Sequence, residues 1–372
     1  MDAPMQKRTV ALFVPTLGGG GAERVMITLA GEFVRAGCAV DLLTVDGAGP
    51  YRAELPAEVR VVDFATGRVS KSFGRLCRYL RQERPQVLMA TLTHANVASV
   101  LARAVTGVQV RLFVREANVL SRETAGARLA VRVAPWLVRW TYRLADGIIA
   151  PSEGVADDLV KNHSMARQRV HVIHNPVVND RLFTLAQQLP SHPWARDREI
   201  PLVLGVGRLT PQKDFATLIR AFRQVRDRHV ARLLILGEGE QRGMLERLVA
   251  ELGLEEDVAL PGFVENPFAY MTRASVFVLS SLFEGLPNAM VQAFALGTPI
   301  VATDCQSGPR EILQGGRFGT LVPIGDETAM ASAIVGQLSG GREGAATKSA
   351  SLRFHVRKVT EDYLALFGLA HG

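Results

Sequence analysis

The sequence predicts an α/β protein made of two Rossmann-like domains, each with a doubly wound parallel sheet. A strand, a glycine loop and a helical stretch follow one another from Thr9–Val14 into Gly18–Gly21, and again from Pro201–Val206 into Gly207. Short apolar runs alternate with helical patterns in both halves, which is typical of parallel strands covered on both faces. The 372 residues, of which 48% are hydrophobic, are enough for two domains with separate cores.

The remaining elements follow the same pattern. Further strand candidates are Val40–Val45, Val59–Phe64, Val87–Thr91, Val110–Val114, Gly147–Ala150, Arg232–Leu236, Val258–Leu260, Val276–Leu279 and Pro299–Ala302. The loops Gly18–Gly21 and Gly207 lead into helical patterns at Ala22–Ala36 and Phe215–Arg226. The polar, proline-bearing stretch 187–199 predicts the domain boundary. We therefore expect a first domain at 1–186, a second at 187–352, and a C-terminal helix within 353–372.

Composition and charge exclude several classes of protein. Three scattered cysteines without CxxC spacing argue against a disulfide framework or a zinc site and fit a reducing cytosol. The first apolar run is too short for a signal peptide, and no run of about 18 apolar residues predicts a membrane-spanning helix. The net charge of +7 favours anionic partners, namely phosphates, acidic lipid or nucleic acid.

The second glycine loop carries two cations. Arg208 follows the strand directly, and Lys213 lies near the start of the next helix. A departing diphosphate needs charge neutralisation and hydrogen-bond donors, which Arg, Lys and helix N-terminal amides supply. Two solvated side chains on a surface loop are the alternative interpretation.

A second polar segment begins just past the predicted strand Val276–Leu279. Glu284 could accept hydrogen bonds from two sugar hydroxyls, and Gly285 lets the backbone approach a ligand closely. Pro287 and Asn288 are typical of a helix start, which leaves amides for an anion. A glutamate that only serves the helix dipole is the alternative interpretation.

Two further glycine loops match no nucleotide-binding motif. One, Thr303–Ile312, contains Gly308 and Glu311 and follows a strand, where open α/β sheets bind ligands. The other, Leu17–Arg24, fits neither G-x-G-x-x-G nor the P-loop pattern, which disfavours nicotinamide dehydrogenases and P-loop enzymes. No D-x-D sequence or His/Cys cluster occurs, so we expect no metal, with Arg and Lys stabilising the diphosphate instead.

Six segments that occur in family order over nearly the whole chain resemble the family 4 retaining glycosyltransferases of the GT-B fold. They are Gly18–Val25, Ala145–Ser152, Ile173–Pro176, Gly205–Asp214, Phe283–Asn288 and Gly319–Val322. The resemblance implies two domains facing a cleft, a last helix that crosses back to the N-terminal domain, and retention of anomeric configuration. The stretches Arg115–Asn118 and Asp304–Glu311 most resemble the polysaccharide and lipid-linked oligosaccharide subgroup.

The resemblance also implies roles for single residues. Arg208 and Lys213 would bind the donor diphosphate and Glu284 the donor sugar, which makes these three the predicted catalytic residues. Phe263 and Val264 would line the base pocket. The other predicted donor-binding residues are Gly19, Gly20, Gly207, Gly237, Gly285, Leu286, Pro287, Asn288 and Gln292.

Two positions depart from the family pattern. A second Glu usually follows eight residues after the first, but Gln292 stands there and offers ribose hydrogen bonds without a charge. A His often follows the fifth strand, but Glu116 and Asn118 occupy that segment. The predicted acceptor or cleft residues are Glu116, Asn118, His94, Gly308 and Glu311. For His94, at a helix start, a capping or packed histidine is the alternative.

The segment 122–143 is rich in arginine and aromatic residues. On a helical wheel one face carries Arg128, Arg132, Arg139 and Arg143, bordered by Trp136 and Trp140. Such a face could contact anionic lipid, with the tryptophans at the headgroup boundary; a solvated arginine face is the alternative. No recognition motif accompanies the charge, so we expect no nucleic-acid partner.

Together these features predict transfer of a hexose or N-acetylhexosamine from a nucleotide-diphosphate sugar, with UDP ahead of GDP. The expected acceptor is a carbohydrate, foremost a lipid-linked glycan intermediate of polysaccharide, lipopolysaccharide or glycoconjugate synthesis. We expect no cofactor, because the nucleotide sugar is the substrate. The expected location is the cytoplasm, with peripheral contact at the inner face of the membrane. A sugar-nucleotide 2-epimerase of the same fold and a non-catalytic nucleotide-sugar-binding protein are the alternatives.

Overall fold

The computed structural model describes residues 8–123, 134–340 and 344–370, which fall into two compact units. The first unit comprises Met1–Pro176 together with Val356–Gly372, and the second comprises Val177–His355. Each unit is a parallel sheet with helices, as the sequence predicts.

The first unit contains a seven-stranded parallel sheet in the order β3-β2-β1-β4-β5-β6-β7. Its strands are β1 (Thr9–Phe13), β2 (Ala39–Thr44), β3 (Arg60–Asp63), β4 (Val87–Thr91), β5 (Arg111–Arg115), β6 (Gly147–Ala150) and β7 (Val170–Val172). Its helices before the second unit are α1 (Gly21–Arg35), α2 (Val69–Glu83), α3 (Thr93–Thr106), α4 (Leu120–Glu123), α5 (Ala134–Thr141) and α6 (Glu153–His163). Short 3₁₀ helices are Pro50–Glu54, Tyr142–Leu144 and Arg167–Arg169.

The second unit contains a six-stranded parallel sheet in the order β10-β9-β8-β11-β12-β13. Its strands are β8 (Leu202–Val206), β9 (Arg232–Leu236), β10 (Val258–Gly262), β11 (Val276–Leu279), β12 (Ile300–Thr303) and β13 (Thr320–Val322). Its helices are α7 (Asp180–Ala186), α8 (Pro193–Arg196), α9 (Phe215–Arg226), α10 (Arg242–Glu251), α11 (Pro267–Met271), α12 (Asn288–Ala295), α13 (Pro309–Ile312), α14 (Glu327–Ser339) and α15 (Gly344–Ser351). Its 3₁₀ helices are Pro211–Lys213 and Leu352–Phe354.

Each sheet has a hydrophobic core on both faces. Along β1, Val10 and Leu12 join one cluster of buried residues, while Ala11 and Phe13 join the other. This follows from the two-residue repeat of a β-strand, in which successive side chains point to opposite faces of the sheet. The near-continuous apolar runs in the sequence are the consequence, because strands covered on both faces need apolar residues at every position.

The last helix, α16 (Val356–Leu366), belongs to the first unit. It packs against α1, and the rings of Phe33 and Phe367 lie 5.8 Å apart. The ring of Phe367 also lies 4.8 Å from that of Phe113 on β5. The first and last described residues, Arg8 and Ala370, therefore belong to the same unit.

The division differs from the predicted boundaries at 186 and 352. The second unit begins at Val177, because α7 packs against α11 and Phe183 contacts the second unit's core. The stretch 187–199 is therefore no interdomain linker, and it contains α8. At the other end, Phe354 is fully buried in that same core, and the division falls after His355.

Candidate functional site

The candidate site of the second unit lies where its strand order reverses. β8 and β11 are neighbours in the sheet, although two strands separate them along the chain. In open parallel sheets the carboxyl ends at such a switch point are where ligands bind. The loop with Gly207, Arg208 and Lys213 follows β8, and the loop with Glu284 follows β11.

The loops after β8 and β9 cross in direct backbone contact. Gly237 has a φ of 141°, and a Cβ placed there would lie 1.9 Å from the carbonyl oxygen of Gly207. The Gly207 amide donates to the Leu236 carbonyl at 3.0 Å, and the Leu209 amide donates to the Glu238 carbonyl at 2.8 Å. Only glycine fits position 237, because any side chain would collide with backbone and require a φ that other residues avoid.

Three hydrogen bonds join the loops after β8 and β11. The Leu282 amide donates to the Gln212 carbonyl at 2.8 Å, and Gln212 Nε2 donates to the Phe283 carbonyl at 2.9 Å. The Ser280 hydroxyl donates to the Lys213 carbonyl at 2.7 Å. These bonds fix the backbone of Lys213 beside the loop that carries Glu284.

Lys213 and Glu284 form an ion pair. Lys213 Nζ lies 2.5 Å from Glu284 Oε1, and the exposed fractions of the two side chains are 18% and 7%. The Ser281 hydroxyl donates to the same oxygen at 2.6 Å. Within the described parts of the chain, no group donates to Glu284 Oε2, so this oxygen is available to a ligand.

Arg208 stands apart from this pair. Its side chain is exposed, and it makes no hydrogen bond or ion pair with any residue that the structure describes. The structure thus places a free guanidinium and a paired ammonium on the same loop. Both cations are available to the oxygens of an anionic ligand at the carboxyl end of β8.

The third predicted loop, after β12, packs on the loop after β11. The Ser307 hydroxyl donates to the Gly285 carbonyl at 2.8 Å, and a Cβ at Gly308 would lie 2.6 Å from the Pro287 ring. Burial, together with the nearby negative charge of Glu284, raises the pKa of the Cys305 thiol to about 12, so it stays protonated. Glu311 lies half-buried on α13, which begins directly after Gly308.

The start of α12 presents backbone rather than side chains. Leu286 and Pro287 are buried, Pro287 is the N-cap, and Asn288 is the first helical residue. Amides in the first turn of a helix have no intrahelical acceptor, so they can bind an anion. Gln292 lies one turn further along, half-buried, and its side chain bonds to no described residue.

The predicted base-pocket residues follow β10. The Gly237 amide donates to the Gly262 carbonyl at 2.9 Å, which joins this loop to the crossing of the β8 and β9 loops. Phe263 is 73% exposed and Val264 is half-buried. Both line an open pocket of about 340 Å³ whose other residues include Leu189 and Tyr270.

In the first unit, the four-glycine loop precedes α1. Gly20 is the N-cap of α1 and makes no side-chain cap, and the Tyr51 hydroxyl donates to the Gly19 carbonyl at 3.1 Å. The guanidinium of Arg24 lies 4.0 Å from the centre of the Tyr51 ring. This loop follows β1, which neighbours β4 at the point where the strand order of the first sheet reverses.

His94 lies at the carboxyl end of β4, in the first turn of α3. Part of its surface is open to solvent, and the burial of the remainder lowers its pKa below the ordinary value of histidine. The residue before that turn, Leu92, has a φ of 73°, which a non-glycine residue rarely adopts. Backbone strain of this kind is common at functional sites, and the role of His94 stays a prediction.

Glu116 is 2% exposed and belongs to a buried polar cluster. The Tyr142 hydroxyl and Asn96 Nδ2 both donate to Glu116 Oε1, the latter at 3.3 Å. Burial and the neighbouring Glu116 carboxylate raise the pKa of Tyr142 well above its ordinary value. Asn118 is half-buried, and its Oδ1 accepts from the Val119 amide at 2.9 Å. The role of Glu116 and Asn118 toward an acceptor stays a prediction.

Only part of the predicted arginine- and tryptophan-rich face lies within the described residues. Arg128 and Arg132 lie outside the described residues. Trp136 and Trp140 on α5 are 62% and 55% exposed, with ring centres 5.9 Å apart. Arg139 is exposed on α5, whereas Arg143 is exposed on the following 3₁₀ helix, 5.8 Å from the Trp140 ring.

Comparison with known proteins identifies the family. Residues 19–181 match the family model described as "Glycosyltransferase Family 4", and residues 200–339 match "Glycosyl transferases group 1". A Campylobacter jejuni protein is 31% identical over 337 residues, which are 88% of each chain. Its name is "N-acetylgalactosamine-N,N'-diacetylbacillosaminyl-diphospho-undecaprenol 4-alpha-N-acetylgalactosaminyltransferase".

The chain belongs to the family 4 glycosyltransferases. The lipopolysaccharide core biosynthesis glycosyltransferase LpsE of Rhizobium meliloti is 27% identical and covers 85% of this chain and 84% of its own. Among solved structures, Anabaena HepE in complex with UDP and glucose gives a TM-score of 0.80 at 19% identity, over 97% of this chain and 99% of that one. A glycosyltransferase from Rickettsia africae gives 0.79 at 17% identity, over 97% and 98%. These structures confirm the GT-B fold.

Two features are absent from the described residues, a cluster of metal ligands and a membrane-spanning helix. In the parts of this glycosyltransferase that the structure covers, no cluster of three or more His, Cys, Asp or Glu side chains could hold a metal ion. Over the same residues, no helix combines the length and apolar character needed to cross a bilayer.

Sequence reasoning missed buried polar residues in both units of this glycosyltransferase. Ser281 stood in the segment that carries Glu284, but nothing in the sequence indicates that its hydroxyl points at the carboxylate. Arg115, taken only as part of the Glu116 segment, is 1% exposed and bonds to Thr91, Asn175 and Tyr363. The polar type of these residues at strand ends is the only signal the sequence contains. Asp158 on α6 is likewise buried, with 1% of its surface exposed, and it accepts from the Ser121 hydroxyl at 2.5 Å.

Proposed function

We propose that this protein transfers a hexose or N-acetylhexosamine from a UDP-sugar to a lipid-linked glycan intermediate, with retention of anomeric configuration. The observation that carries the proposal is the arrangement at the switch point of the second unit. A free Arg208, a paired Lys213 and an available Glu284 Oε2 follow two neighbouring strands there. Cations and a hydroxyl-binding carboxylate are what a sugar diphosphate requires.

In this proposal each side chain has one task. Arg208 and Lys213 bind the diphosphate and stabilise the negative charge that grows as the bond to the sugar breaks. The first-turn amides of α12 add donors to the same anion. Glu284 Oε2 accepts hydrogen bonds from donor sugar hydroxyls and so fixes the orientation of the ring. The leaving group is neutralised by Arg and Lys, so we propose that the transfer step needs no metal ion.

The relatives support the choice of donor and acceptor. The Campylobacter jejuni relative is named for an N-acetylgalactosaminyl group, an alpha linkage and a diphospho-undecaprenol-linked acceptor. A second protein of that organism, 25% identical over 87% of this chain, also bears a name with a diphospho-undecaprenol acceptor. The Anabaena neighbour is described in complex with UDP-glucose. These names favour UDP over GDP and a polyprenyl diphosphate glycan over a free sugar.

The exposed surface of the first unit supports a membrane-bound acceptor. Trp136, Trp140 and Leu144 are each more than half exposed, and Arg139 and Arg143 lie among them. Tryptophan and arginine in this mixture suit the boundary between lipid headgroups and acyl chains. We propose that this surface contacts anionic lipid and brings the enzyme to its acceptor.

The test is a transfer assay with a synthetic polyprenyl diphosphate-linked N-acetylhexosamine and a panel of UDP- and GDP-sugars. We expect one UDP-sugar to give product in the presence of EDTA, with the anomeric configuration retained in the nuclear magnetic resonance spectrum. Arg208→Ala and Lys213→Ala should each lower kcat roughly 100-fold, as the loss of a transition-state donor typically does.

The matched control is Arg223→Ala, which removes an exposed arginine that pairs with Asp227 on the surface of α9. It should leave kcat within about twofold of the wild type, as exposed ion pairs contribute little. Full activity of the Arg208 and Lys213 variants would refute the diphosphate assignment. An inverted product, a strict need for a divalent metal, or binding of donor without turnover would each refute a part of the proposal.

A further inference from the structure

The two oxygens of the Glu284 carboxylate have different surroundings. Oε1 accepts from Lys213 Nζ at 2.5 Å and from the Ser281 hydroxyl at 2.6 Å. Oε2 accepts from no group within the described residues. The carboxylate is therefore held by one oxygen and presents the other.

Ser281 is itself fixed in place. It is 0% exposed, and its carbonyl accepts from the Thr303 hydroxyl at 2.6 Å. Thr303 is the last residue of β12 and is also 0% exposed. Since the Ser281 hydroxyl is enclosed and donates to Glu284 Oε1, no ligand can compete for it as easily as for an exposed donor.

Lys213 is a different kind of partner. Its ammonium stands on a flexible four-carbon stem with three rotatable donors, and its side chain keeps 18% of its surface exposed. A diphosphate bound at this loop would draw Nζ away from Glu284 or share it. The hydroxyl of Ser281 would then be the donor that remains on Oε1.

We propose that Ser281 is a positioning residue, which keeps the Glu284 carboxylate oriented while Lys213 binds the donor diphosphate. Ser281 acts through Glu284, and it makes no contact with the donor. The inference rests on the proposed function, because it assumes that Oε2 holds the donor sugar. It assigns the recognition of the sugar, as distinct from that of UDP, to the Thr303–Ser281–Glu284 chain of hydrogen bonds.

The experiment compares UDP with UDP-sugar on the Ser281→Ala variant. Calorimetry gives the Kd for each ligand, and the transfer assay gives kcat and KM for the UDP-sugar. We expect the Kd for UDP to change by less than about twofold, while kcat/KM for the UDP-sugar falls roughly 10- to 30-fold, since a hydrogen bond to a charged group is lost. Ser281→Thr, which keeps the hydroxyl, should recover most of this loss.

The matched control is Thr298→Val, which removes another buried side-chain hydrogen bond of the second unit. The Thr298 hydroxyl donates to the Met271 carbonyl at 2.7 Å, and it precedes β12 at the amino edge of the sheet, opposite the site. This variant should lower the melting temperature about as much as Ser281→Ala, yet leave the preference for UDP-sugar over UDP unchanged. If Ser281→Ala does not fold, Ser281→Cys replaces it, since a thiol has similar volume and donates weakly.

Three outcomes would overturn the inference. The first is an unchanged kcat/KM in Ser281→Ala, and the second is an equal loss of affinity for UDP and UDP-sugar, which indicates a merely structural role. If the wild type binds UDP-sugar but does not transfer the sugar, the proposed function fails. The ratio of the Kd for UDP to the Kd for UDP-sugar, compared between the wild type and Ser281→Ala, still decides the role of Ser281. The third is a wild type that binds neither ligand, which would refute both proposals.

Discussion

The crossing of the loops after β8 and β9 leads to a sharp prediction for Gly237→Ala. The added methyl would lie 1.9 Å from the Gly207 oxygen and 2.9 Å from the Gly207 carbonyl carbon. Both atoms are backbone, so no side chain can rotate away to make room. The φ of 141° adds strain, because alanine rarely adopts it.

The size of the effect follows from these distances. Real Cβ contacts are essentially never closer than 3.0 Å, so the backbones at Gly207 and Gly237 must separate by about 1.1 Å. The Arg208 nitrogen lies 3.7 Å from the same position, so the displacement reaches the base of the Arg208 side chain. We expect the second unit to lose about 2–4 kcal/mol of stability from strain and overpacking. Donor affinity should fall more than about tenfold, since misplacement on the scale of 1 Å is costly at a site.

The assay is thermal unfolding together with calorimetric titration of the UDP-sugar, and the control is Gly243→Ala. Gly243 lies on α10, and the nearest atom to its added methyl is Arg247 Nη1 at 3.7 Å, an ordinary contact. This control should stabilise the protein by about 0.5–1 kcal/mol, as alanine favours helix over glycine. A Gly237→Ala variant with wild-type melting temperature and donor affinity would refute the claim that the crossing positions Arg208.

Two further predictions concern the first unit. Burial raises the pKa of three tyrosines above the ordinary value, namely Tyr79, Tyr142 and Tyr363. Because the folded phenols keep their protons while unfolded ones ionise, stability that is present below about pH 10 should be lost as pH rises above it, by at most about 1.4 kcal/mol per pH unit for each phenol in urea titrations. Tyr363→Phe should reduce that slope by about a third, and a slope that the substitution leaves unchanged would refute the burial argument. In vesicle sedimentation, the double variant Trp136→Ala/Trp140→Ala should bind phosphatidylglycerol vesicles at least about tenfold more weakly than the wild type, whereas Val230→Ala, at an exposed residue of the second unit, should not. Equal binding of both variants, or equal binding to neutral vesicles, would contradict the membrane contact.

The fold could be predicted from the sequence because strands buried on both faces leave a strong apolar signal. Phe215–Arg226 was predicted with the bounds that the structure has. The structure divides the chain after Pro176 and not after 186, because a polar, proline-bearing stretch resembles a linker wherever it lies. The packing of α7 on α11 and the burial of Val177 and Val178 in the second unit's core, which no local pattern encodes, assign residues 177–186 to the second unit.

The candidate site could be predicted to the level of its loops but not of its contacts. Arg208, Lys213 and Glu284 were placed at strand ends, and parallel topology brings such ends together. That Lys213 pairs with Glu284, while Arg208 stays free, depends on the three hydrogen bonds between the loops after β8 and β11. One of these bonds joins two backbone groups, and the other two have backbone carbonyls as acceptors, so residue types carry little information about them.

Arg115 and Glu116 illustrate why the charges at a strand end are hard to interpret from sequence. Successive residues of an extended strand point to opposite faces of the sheet, so neighbouring charges of opposite sign are not placed to pair with each other. In the described residues, Arg115 meets only neutral oxygens, those of Thr91, Asn175 and Tyr363. A buried guanidinium without hydrogen-bond acceptors would destabilise the fold. Oxygen acceptors from other parts of the chain must therefore reach Arg115. The Tyr363 hydroxyl on α16 supplies one of these acceptors. This polar contact, together with the apolar contacts of α16, holds the last helix in the first unit.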